Sequence, residues 1–599
     1  MKRIFSFMKP YWLEILGVFA LVTISALGTL LLPDYTGKMI SEGITYNYVT
    51  QAQESDYTII LKYGLIMIGV TLLTSIASIY QMKLAAIIGS NTGKDIRTAI
   101  YKKVNSFSMA EAERFGTSTL ITRSTNDVTQ VQNFVMMALR MMLRVPIMLI
   151  GGIILSVKNI REMQAALNTS SQNIMFVLLA GIGMLILLIV ITFILVVPLF
   201  KSLQQRVDRI TQVAREGVNG VRVIRAFGQG KKEVKRFQKV NDELTDNIVK
   251  AGRIMSVLNP TVNLIFSLVV LGILYFAYDL IINNLTTDYE ALGKVFAIIQ
   301  YSTQILFSLL MLTMAFINFP RAQVSGNRIS EILDQDIIVK DNGDPTHNDK
   351  VVQGKVTFND VCFRYGDAEL NVLDHITFEA KPGQTVAIIG STGSGKSTIV
   401  NLIPRFHDVN CGSIQIDGVD IRDYTLSKLR SLVGFVPQTA TLLTGTIRDN
   451  IAFGKKDATD EEIWQAAKIA QATEFIESQP DQLDAIVDQG GVNYSGGQKQ
   501  RLSIARALVR KAPIYIFDDS FSALDFKTDA ALRKALKQEV QEATVLIVAQ
   551  RIGTIMDADQ IIVLQEGKIV GIGKHKELLS NCEVYKEIAL SQLSEEELA

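Results

Sequence analysis

The sequence predicts two parts of different fold class: an all-α membrane domain of six transmembrane helices with long cytosolic extensions, followed by an α/β domain with a phosphate-binding loop. Two observations support this division. The mean hydropathy of the 599 residues is positive, at +0.25, and long uncharged apolar runs occur before Pro320. From Val351 onward, short strand-like runs alternate with helical patterns. We therefore expect the membrane domain at residues 1–320, a polar linker at 321–350 and the α/β domain at 351–599.

The composition excludes a disordered chain and gives no support for a nucleic-acid partner. Hydrophobic residues make up 48% of the chain and charged residues 20%, whereas disorder needs low hydrophobicity and high charge. Lys and Arg total 60 and Asp and Glu total 59, so the net charge is only +1. Cys362, Cys411 and Cys582 are irregularly spaced and form neither a disulfide framework nor a zinc pair. We therefore expect free thiols in a reducing compartment.

The membrane domain is predicted from apolar runs, because a helix needs about 20 apolar residues to cross a hydrocarbon core of ~30 Å. Five runs carry no charge, and a sixth is strongly apolar apart from Arg140 and Arg144. The first run is not a cleavable signal peptide, since it is long, ends in LLLPDY and precedes five further runs. The predicted spans cover approximately residues 13–33, 60–83, 133–157, 174–200, 254–280 and 293–320.

The distribution of Lys and Arg predicts the orientation of these spans. Basic residues are frequent at the N-terminus and in segments 83–130 and 201–253, and they are few in the alternate loops. We therefore expect a multi-pass protein of the cell membrane, with its N-terminus, two long loops and C-terminal domain in the cytosol. The long loops have helical periodicity, so the spans should continue as helices into the cytosol. A soluble helical hairpin without a functional role is the alternative.

Arg140 and Arg144 lie four residues apart, on one face of the third span. An ionisable residue inside a span indicates a functional site by default. One interpretation is a cavity lining that meets anionic substrates or lipid headgroups. The other is that both side chains snorkel to the cytosolic headgroups, since both lie near the inner end of the span.

A glycine-rich segment follows the apolar strand 385–389 and precedes the helical pattern TIVNLIPRF. This is the strand–loop–helix context that a phosphate-binding loop requires. Its glycines let backbone N–H groups approach phosphates, and the helix N-terminus favours anions. Lys396 is expected to reach the β- and γ-phosphates, and Ser397 to hold Mg²⁺. The predicted loop residues are Gly390, Ser391, Thr392, Gly393, Ser394, Gly395, Lys396, Ser397 and Thr398.

Four apolar residues followed by an acid form the segment Ile514–Asp518. This pattern predicts a buried strand that delivers a carboxylate at its C-terminal end, where Mg²⁺ would bind. A strand that ends in a solvated aspartate is the alternative.

A second glycine motif, Tyr494-Ser495-Gly496-Gly497-Gln498, precedes KQRLSIARALV and resembles the signature motif of ABC transporters, whose usual form begins with Leu. Ser495 and the glycine amides would open a helix, so donors and a positive dipole end would face a γ-phosphate. Other positions match the same family in order. They are Tyr365 for the residue that stacks on adenine, Gln438 for the Q-loop and a Mg²⁺ ligand, Asp488 for the X-loop, Ser522 to Asp525 for the D-loop, and segments 115–128 and 220–229 for the coupling helices of exporters.

This resemblance covers nearly the whole chain, and it implies ATP-driven export. Two nucleotide domains would sandwich two ATP molecules with Mg²⁺, and each site would combine the phosphate loop of one chain with the signature of the other. Because this chain carries one of each, the resemblance implies a half-transporter that dimerises within the lipid bilayer. The expected cargo is an amphipathic drug or lipid.

Two positions depart from the family pattern. The family expects Glu after Asp518, to polarise the attacking water, but this chain has Asp519. The aspartate carboxylate ends roughly 1.5 Å earlier, and a misplacement of ~1 Å can cost about 100-fold in rate. The family also expects a switch His where this chain has Gln550, which can donate a hydrogen bond but cannot carry a positive charge. The predicted catalytic positions are Asp519, Gln550 and Gln438.

These departures resemble the degenerate subunit of heterodimeric ABC exporters. On that interpretation this chain's own site binds ATP but turns over slowly, and its signature completes a competent site in which the partner supplies Glu and His. A homodimer with two slow sites, a lipid or peptide exporter, and a non-transporting subunit that gates a partner channel are the alternatives.

Overall fold

The computed structural model describes residues 2–47, 52–167, 172–283, 289–341, 343–344, 351–366 and 368–593. The chain forms two compact units: Met1–Lys103 with Leu120–Asp334, and Val104–Thr119 with Gln335–Ala599. Residues 345–350 of the predicted linker lie outside the described residues.

Helices make up almost all of the N-terminal part of the chain. Six of its continuous helical stretches are long and apolar enough to cross a membrane, which confirms the predicted six spans. A short antiparallel hairpin, β1 (Ile44–Asn47) and β2 (Ala52–Ser55), connects the first two. The helices are α1 (Lys2–Ser6), α2 (Trp12–Gly43), α3 (Tyr57–Asn105), α4 (Met109–Phe115), α5 (Thr117–Thr122), α6 (Val128–Met137), α7 (Arg144–Leu167), α8 (Gln172–Asn219), α9 (Val221–Ala226), α10 (Gly230–Asn283) and α11 (Tyr289–Asp334).

Four of these helices are far longer than a membrane is thick. The helices α3, α8, α10 and α11 contain 49, 48, 54 and 46 residues. At a rise of 1.5 Å per residue they are about 70–80 Å long, against a hydrocarbon core of ~30 Å. The helical periodicity of the two long loops therefore belongs to continuous extensions of the spans.

Close backbone contact joins α2 and α11 within the first unit. A Cβ atom built on Gly293 would lie 2.2 Å from the carbonyl oxygen of Gly37, so a side chain cannot be placed there without moving the helices. Near this crossing, the Tyr301 hydroxyl donates to the Leu30 carbonyl at 2.9 Å. The third span contains two π-helical segments, Arg123–Asp127 and Ala138–Met142, which flank α6.

The C-terminal part contains two large sheets and a small antiparallel pair of two-residue strands, Gly445–Thr446 and Ile486–Val487. In the six-stranded sheet, of order β14-β13-β5-β12-β11-β8, all neighbouring strands are parallel except the edge strand β14. The four-stranded sheet, of order β4-β3-β6-β7, is antiparallel. These are the strands β3 (Val356–Phe363), β4 (Leu373–Ala380), β5 (Thr385–Gly390), β6 (Cys411–Ile416), β7 (Val419–Asp420), β8 (Val433–Val436), β9 (Gly445–Thr446), β10 (Ile486–Val487), β11 (Ile514–Asp518), β12 (Thr544–Val548), β13 (Gln560–Gln565) and β14 (Lys568–Gly573).

Helices surround the parallel sheet, which confirms the predicted α/β architecture. Apolar residues on its two faces form two buried clusters, one with Phe517 and the other with Ile516. The helices are α12 (Lys396–Leu402), α13 (Leu426–Ser431), α14 (Ile447–Ala452), α15 (Asp460–Ile469), α16 (Thr473–Glu477), α17 (Gly496–Leu508), α18 (Phe526–Glu539), α19 (Ile552–Ile555), α20 (His575–Asn581) and α21 (Glu583–Leu590).

Helix α4 follows the long helix α3 in the chain but belongs to the second unit. Its Glu111 is buried and accepts hydrogen bonds from the backbone amides of Ser108, at 2.6 Å, and Ile338, at 2.7 Å. The Glu111 carboxylate thereby caps its own helix and also fixes the segment that follows α11.

The expectation of three free thiols is wrong for two of them. Cys362 and Cys411 form a disulfide, with their Cα atoms 5.0 Å apart, and Cys582 is free and buried. The two disulfide cysteines face each other because β3 and β6 are antiparallel neighbours in this register. They are 49 residues apart, so their spacing in the sequence does not reveal the pairing.

Candidate nucleotide site

The predicted phosphate loop connects β5, the third strand of the parallel sheet, to α12. Two of its glycines have left-handed backbone angles, with φ +83° at Gly393 and +97° at Gly395. A Cβ atom on Gly395 would lie 2.6 Å from the Leu373 side chain, so glycine is required there for packing as well as for conformation. This tight turn leaves the start of α12 open to an anion.

Two polar groups in the loop fit a bound phosphate. The Ser394 side chain is 2% exposed, and its hydroxyl has no hydrogen-bond partner in the described part of the chain. The Lys396 ammonium donates to the carbonyls of Gly390, at 2.9 Å, and Ser391, at 2.7 Å, within its own loop. Burial lowers the pKa of Lys396, and the carboxylates of Asp519 and Asp518 oppose that effect.

Ser397 and Asp518 meet at the end of β11. The Ser397 hydroxyl donates to Asp518 Oδ1 at 2.8 Å, and the aspartate is 5% exposed. Burial raises the pKa of Asp518, and the hydrogen bond from Ser397 opposes that effect. Hydroxyl and carboxylate oxygens are the ligands that Mg²⁺ prefers, so these two side chains could hold the ion.

Asp519 lies at the centre of a network of amides. Its Oδ2 accepts hydrogen bonds from Nε2 of Gln550, at 2.7 Å, and from Nε2 of Gln438, at 3.2 Å. Gln592 Nε2 in turn donates to the Gln550 carbonyl at 2.7 Å. Burial raises the pKa of Asp519, whereas the hydrogen bond from Gln438 lowers it. Two of the predicted catalytic positions, Gln438 and Gln550, therefore contact the third, Asp519, directly.

The sheet explains why these residues meet. The strands β5, β8, β11 and β12 are parallel neighbours, so their carboxyl ends lie at one edge of the sheet. Those ends lead into the phosphate loop, Gln438, Asp519 and Gln550, respectively. Strand β8, of only four residues, was not predicted from the sequence, although it carries the approach to Gln438.

Tyr365 is 38% exposed and lies beside the phosphate loop. Its hydroxyl is 3.1 Å from the Thr398 hydroxyl, and its ring meets Phe363 edge-on at 4.8 Å. His407 also meets this ring edge-on, at 5.3 Å. A single histidine after an Arg-Phe pair carries no recognisable signal in the sequence, so His407 is identified only from the structure. Its contact makes it a positioning residue for Tyr365.

The signature residues form the start of α17. Ser495 Oγ accepts from the Gln498 amide at 3.3 Å, and Gln498 Oε1 accepts from the Ser495 amide at 2.9 Å, which makes a reciprocal cap. Tyr494 is buried, and its hydroxyl donates to the Ile486 carbonyl at 3.2 Å. Ser495 and Gly496 are exposed, and Gly497 is half-buried. In the described residues, these hydrogen bonds do not reach the phosphate loop.

Asp525 has a local structural role. It caps α18 by accepting from the Thr528 amide at 3.0 Å and from the Thr528 hydroxyl at 2.7 Å. These hydrogen bonds lower the pKa of Asp525. Next to the signature, the Asp488 backbone amide donates to Asn493 Oδ1 at 3.1 Å, and its carbonyl accepts from the Gly491 amide at 2.7 Å.

The two arginines of the third span contact different helices. Arg140 lies in a π-helical segment, and its Nη2 is 3.5 Å from the Met82 carbonyl. Arg144 Nη2 is 3.4 Å from the Thr29 hydroxyl. Thr29 lies 14 residues after Ile15, which corresponds to about 21 Å of helix from the N-terminal end of the first apolar run.

A phosphate loop, buried carboxylates at the end of another strand of the same parallel sheet, and six membrane-length helices together define a membrane transport ATPase. The family model for the ABC transporter transmembrane region matches residues 15–310, and the model for the ABC transporter domain matches residues 373–522. The chain belongs to the ABC transporter family and is of the exporter type.

Relatives match along almost their entire length. The chain is 38% identical to the uncharacterised ABC transporter ATP-binding protein YfiB of Bacillus subtilis, over 100% of this chain and 99% of the relative. It is 31% identical to an ATP-dependent lipid A-core flippase of Mannheimia succiniciproducens, over 99% and 97% of the two chains. The solved structure of a bacterial Atm1-family ABC exporter with ATP bound has the same fold, with a TM-score of 0.77, 24% identity, and coverage of 97% and 98%.

Proposed function

We propose that this chain is one subunit of a heterodimeric exporter that uses ATP to move amphipathic compounds, of the multidrug or lipid type, across the cytoplasmic membrane. Its own ATP site is slow, and its signature motif completes the fast site. The observation that carries this proposal is the engagement of Asp519 by Gln550 and Gln438.

A general base must present a free carboxylate oxygen to the attacking water. Asp519 Oδ2 already accepts two amide hydrogen bonds, and the carboxylate is one methylene shorter than the glutamate of the family pattern. Gln550 commits one of the two N–H donors of its side-chain amide to Asp519, and this neutral amide cannot supply the positive charge of the family's histidine. Both features slow hydrolysis without weakening the phosphate loop.

The signature motif has no comparable defect. Its helix cap is complete, and the exposed ends of Ser495 and Gly496 leave the α17 N-terminus accessible to a partner's nucleotide. An asymmetric pair of sites is the result: a slow one at this chain's phosphate loop, and a fast one that needs this chain's signature together with the partner's Glu and His.

A partner chain also accounts for apolar surface around α9. Val218, Val223 and Phe227 are 73%, 61% and 74% exposed, in a segment that also contains Arg222 and Arg225. Exposed apolar clusters of this kind mark interaction sites. The resemblance assigns this segment to a coupling helix, and we propose that it docks on the partner's nucleotide domain.

The lipid or drug character of the cargo is supported by Arg144. Its contact with Thr29 lies about 21 Å along the first apolar run, which favours a cavity lining over snorkelling to the cytosolic headgroups. The similarity to a lipid A-core flippase supports a lipid among the amphipathic cargo compounds.

The test is ATP hydrolysis by the chain alone and together with a partner half-transporter that carries Glu and His. We expect very weak turnover from the chain alone and ordinary turnover from the pair. Brisk hydrolysis by a verified homodimer would contradict the heterodimer. Vesicles that hold the pair should accumulate a fluorescent amphipathic compound with ATP, whereas a channel regulator would give ATPase without accumulation.

A further inference from the structure

The disulfide between Cys362 and Cys411 lies at the end of the antiparallel sheet nearest the candidate adenine-stacking residue. Cys362 is buried and Cys411 is half-buried, so the pair is reached from the Cys411 side. If the domain lies in the cytosol, as the basic loops predict, a stable structural disulfide is unexpected. Cytosolic disulfides are mostly transient and redox-sensing.

A histidine lies next to the buried cysteine. Cys362 Sγ is 4.0 Å from Nδ1 of His375, and that nitrogen is 2.7 Å from Asp360 Oδ1. The hydrogen bond to Asp360 raises the pKa of His375; Asp374 acts in the same direction and Lys568 opposes it. A protonated histidine beside a cysteine favours the thiolate, which is the form that attacks disulfides.

The cysteines are connected to Tyr365 through short hydrogen bonds. The Asn410 amide donates to the Cys362 carbonyl at 3.0 Å, and the Arg364 amide donates to Asn410 Oδ1 at 2.8 Å. Tyr365 is the residue that follows Arg364. A covalent bond between the flanking cysteines therefore restrains the loop that carries the Tyr365 ring.

We propose that Cys362 and Cys411 form a reversible thiol–disulfide site that reacts with low-molecular-weight disulfides and adjusts nucleotide affinity through Tyr365. The thiol chemistry is independent of the proposed function, whereas the effect on nucleotide rests on the ATP site being where we have placed it.

The exchange balances without a further oxidant. The Cys411 thiolate attacks one sulfur of the external disulfide, whose S–S bond breaks to release one thiolate and leave a mixed disulfide on Cys411. The Cys362 thiolate then attacks Cys411 Sγ and releases the second thiolate. Two electrons pass from the cysteine pair to the external disulfide. The two released thiolates each take up one of the protons that the cysteine pair loses, and they become two thiols.

The form with the disulfide is expected to bind nucleotide more tightly than the form with two free thiols. The disulfide holds β3 and the start of β6 in register, and with them the loop that places Tyr365 against Thr398. Breaking it gives this loop freedom that nucleotide binding must remove again. We expect the reduced form to bind about threefold more weakly, which is near the lower end of the cost of ordering one side chain.

The first experiment equilibrates the full chain with its partner in mixtures of oxidised and reduced glutathione. Free thiols are trapped by a maleimide after denaturation and counted by mass spectrometry. Cys582 serves as the internal standard. We expect Cys362 and Cys411 to lose their labels together as the glutathione mixture becomes oxidising. Full labelling of both at every ratio, or a persistent adduct of glutathione, would overturn the proposal.

The second experiment measures photolabelling of this chain by an ATP analogue at rising concentrations, in both redox states. Wild type and the matched control Cys582→Ser should show the threefold difference, and Cys362→Ser and Cys411→Ser should not. Equal affinities while the disulfide forms would overturn the link to nucleotide. Absence of labelling in both states would instead overturn the ATP-site assignment, and the link with it, while the thiol counts would still decide the exchange chemistry.

Discussion

Restoring the family residues at this chain's own site should speed it up, and the geometry sets the size of the effect. Asp519→Glu adds a methylene and advances the carboxylate by roughly 1.5 Å. Gln550 Nε2 is only 2.7 Å from the present oxygen, so that amide blocks the longer side chain. Either change alone should therefore do little, because both positions act on one transition state. Asp519→Glu together with Gln550→His should recover up to about 100-fold, the cost of a misplacement of ~1 Å.

The total ATPase rate would hide this gain, since a second working site can at most about double the turnover of a heterodimer. The assay should therefore use a heterodimer whose partner has lost its own catalytic Glu. Steady-state hydrolysis then reports the site of this chain. There are three matched controls. Two are the single changes, Asp519→Glu and Gln550→His, and the third is the double change paired with a partner whose signature is disrupted.

The refuting result comes from the opposite change. Asp519→Asn removes the carboxylate but leaves a side chain of the same size next to Gln438 and Gln550. In an otherwise intact heterodimer it should cost little, since Asp519 is not part of the fast site that we propose. If Asp519→Asn stopped hydrolysis as completely as loss of the partner's Glu, then Asp519 would be a working base and the asymmetric mechanism would be wrong.

Three further changes test other parts of the structure. Lys396→Ala removes the charge expected on the β- and γ-phosphates, so affinity for a photoreactive ATP analogue at this chain should fall about 10-fold or more; unchanged labelling would contradict the phosphate-loop assignment. Burial lowers the pKa of His407 in the folded chain, so below pH ~6.5 the unfolded chain binds more protons and stability falls. The melting temperature should therefore fall less between pH 7.5 and pH 5.5 in His407→Phe than in the wild type. An equal fall in both would contradict the contribution of His407 to this pH dependence. Glu111→Gln places an amide donor opposite the backbone amides that now donate to the carboxylate, including that of Ile338, and should lower the free energy of unfolding by about 1–3 kcal/mol. The matched change at an exposed neighbour, Glu113→Gln, should alter it by less than about 0.5 kcal/mol. Equal effects of the two changes in thermal unfolding would refute the capping role of Glu111.

The sequence predicts the elements whose signals are local. Apolar runs of membrane length predict the six spans, and strand–loop–helix patterning predicts the phosphate loop and the strand that ends at Asp518. Each signal is contained in fewer than about 30 consecutive residues, so it can be recognised without knowledge of the tertiary fold. The four-residue strand β8, with a glycine at its second position, is too short to give such a signal.

The sequence does not predict features that depend on strand pairing. Gln438 and Asp519 are 81 residues apart, and they meet only because β8 and β11 are neighbours in the parallel sheet. Cys362 and Cys411 likewise meet only through the register of β3 with β6. For the same reason, the contact between His407 and Tyr365 could not be inferred before the fold was known.

The position of α4 has a consequence for how such chains can be recombined. This helix is encoded among the membrane spans but is packed in the unit that contains the nucleotide site, where Glu111 binds the Ile338 amide. A fragment that begins at the linker lacks this carboxylate and leaves the amide without its acceptor. Grafting the nucleotide domain of one relative onto the spans of another creates the same mismatch, unless segment 104–119 is transferred with it. The natural unit of exchange is therefore discontinuous in the gene.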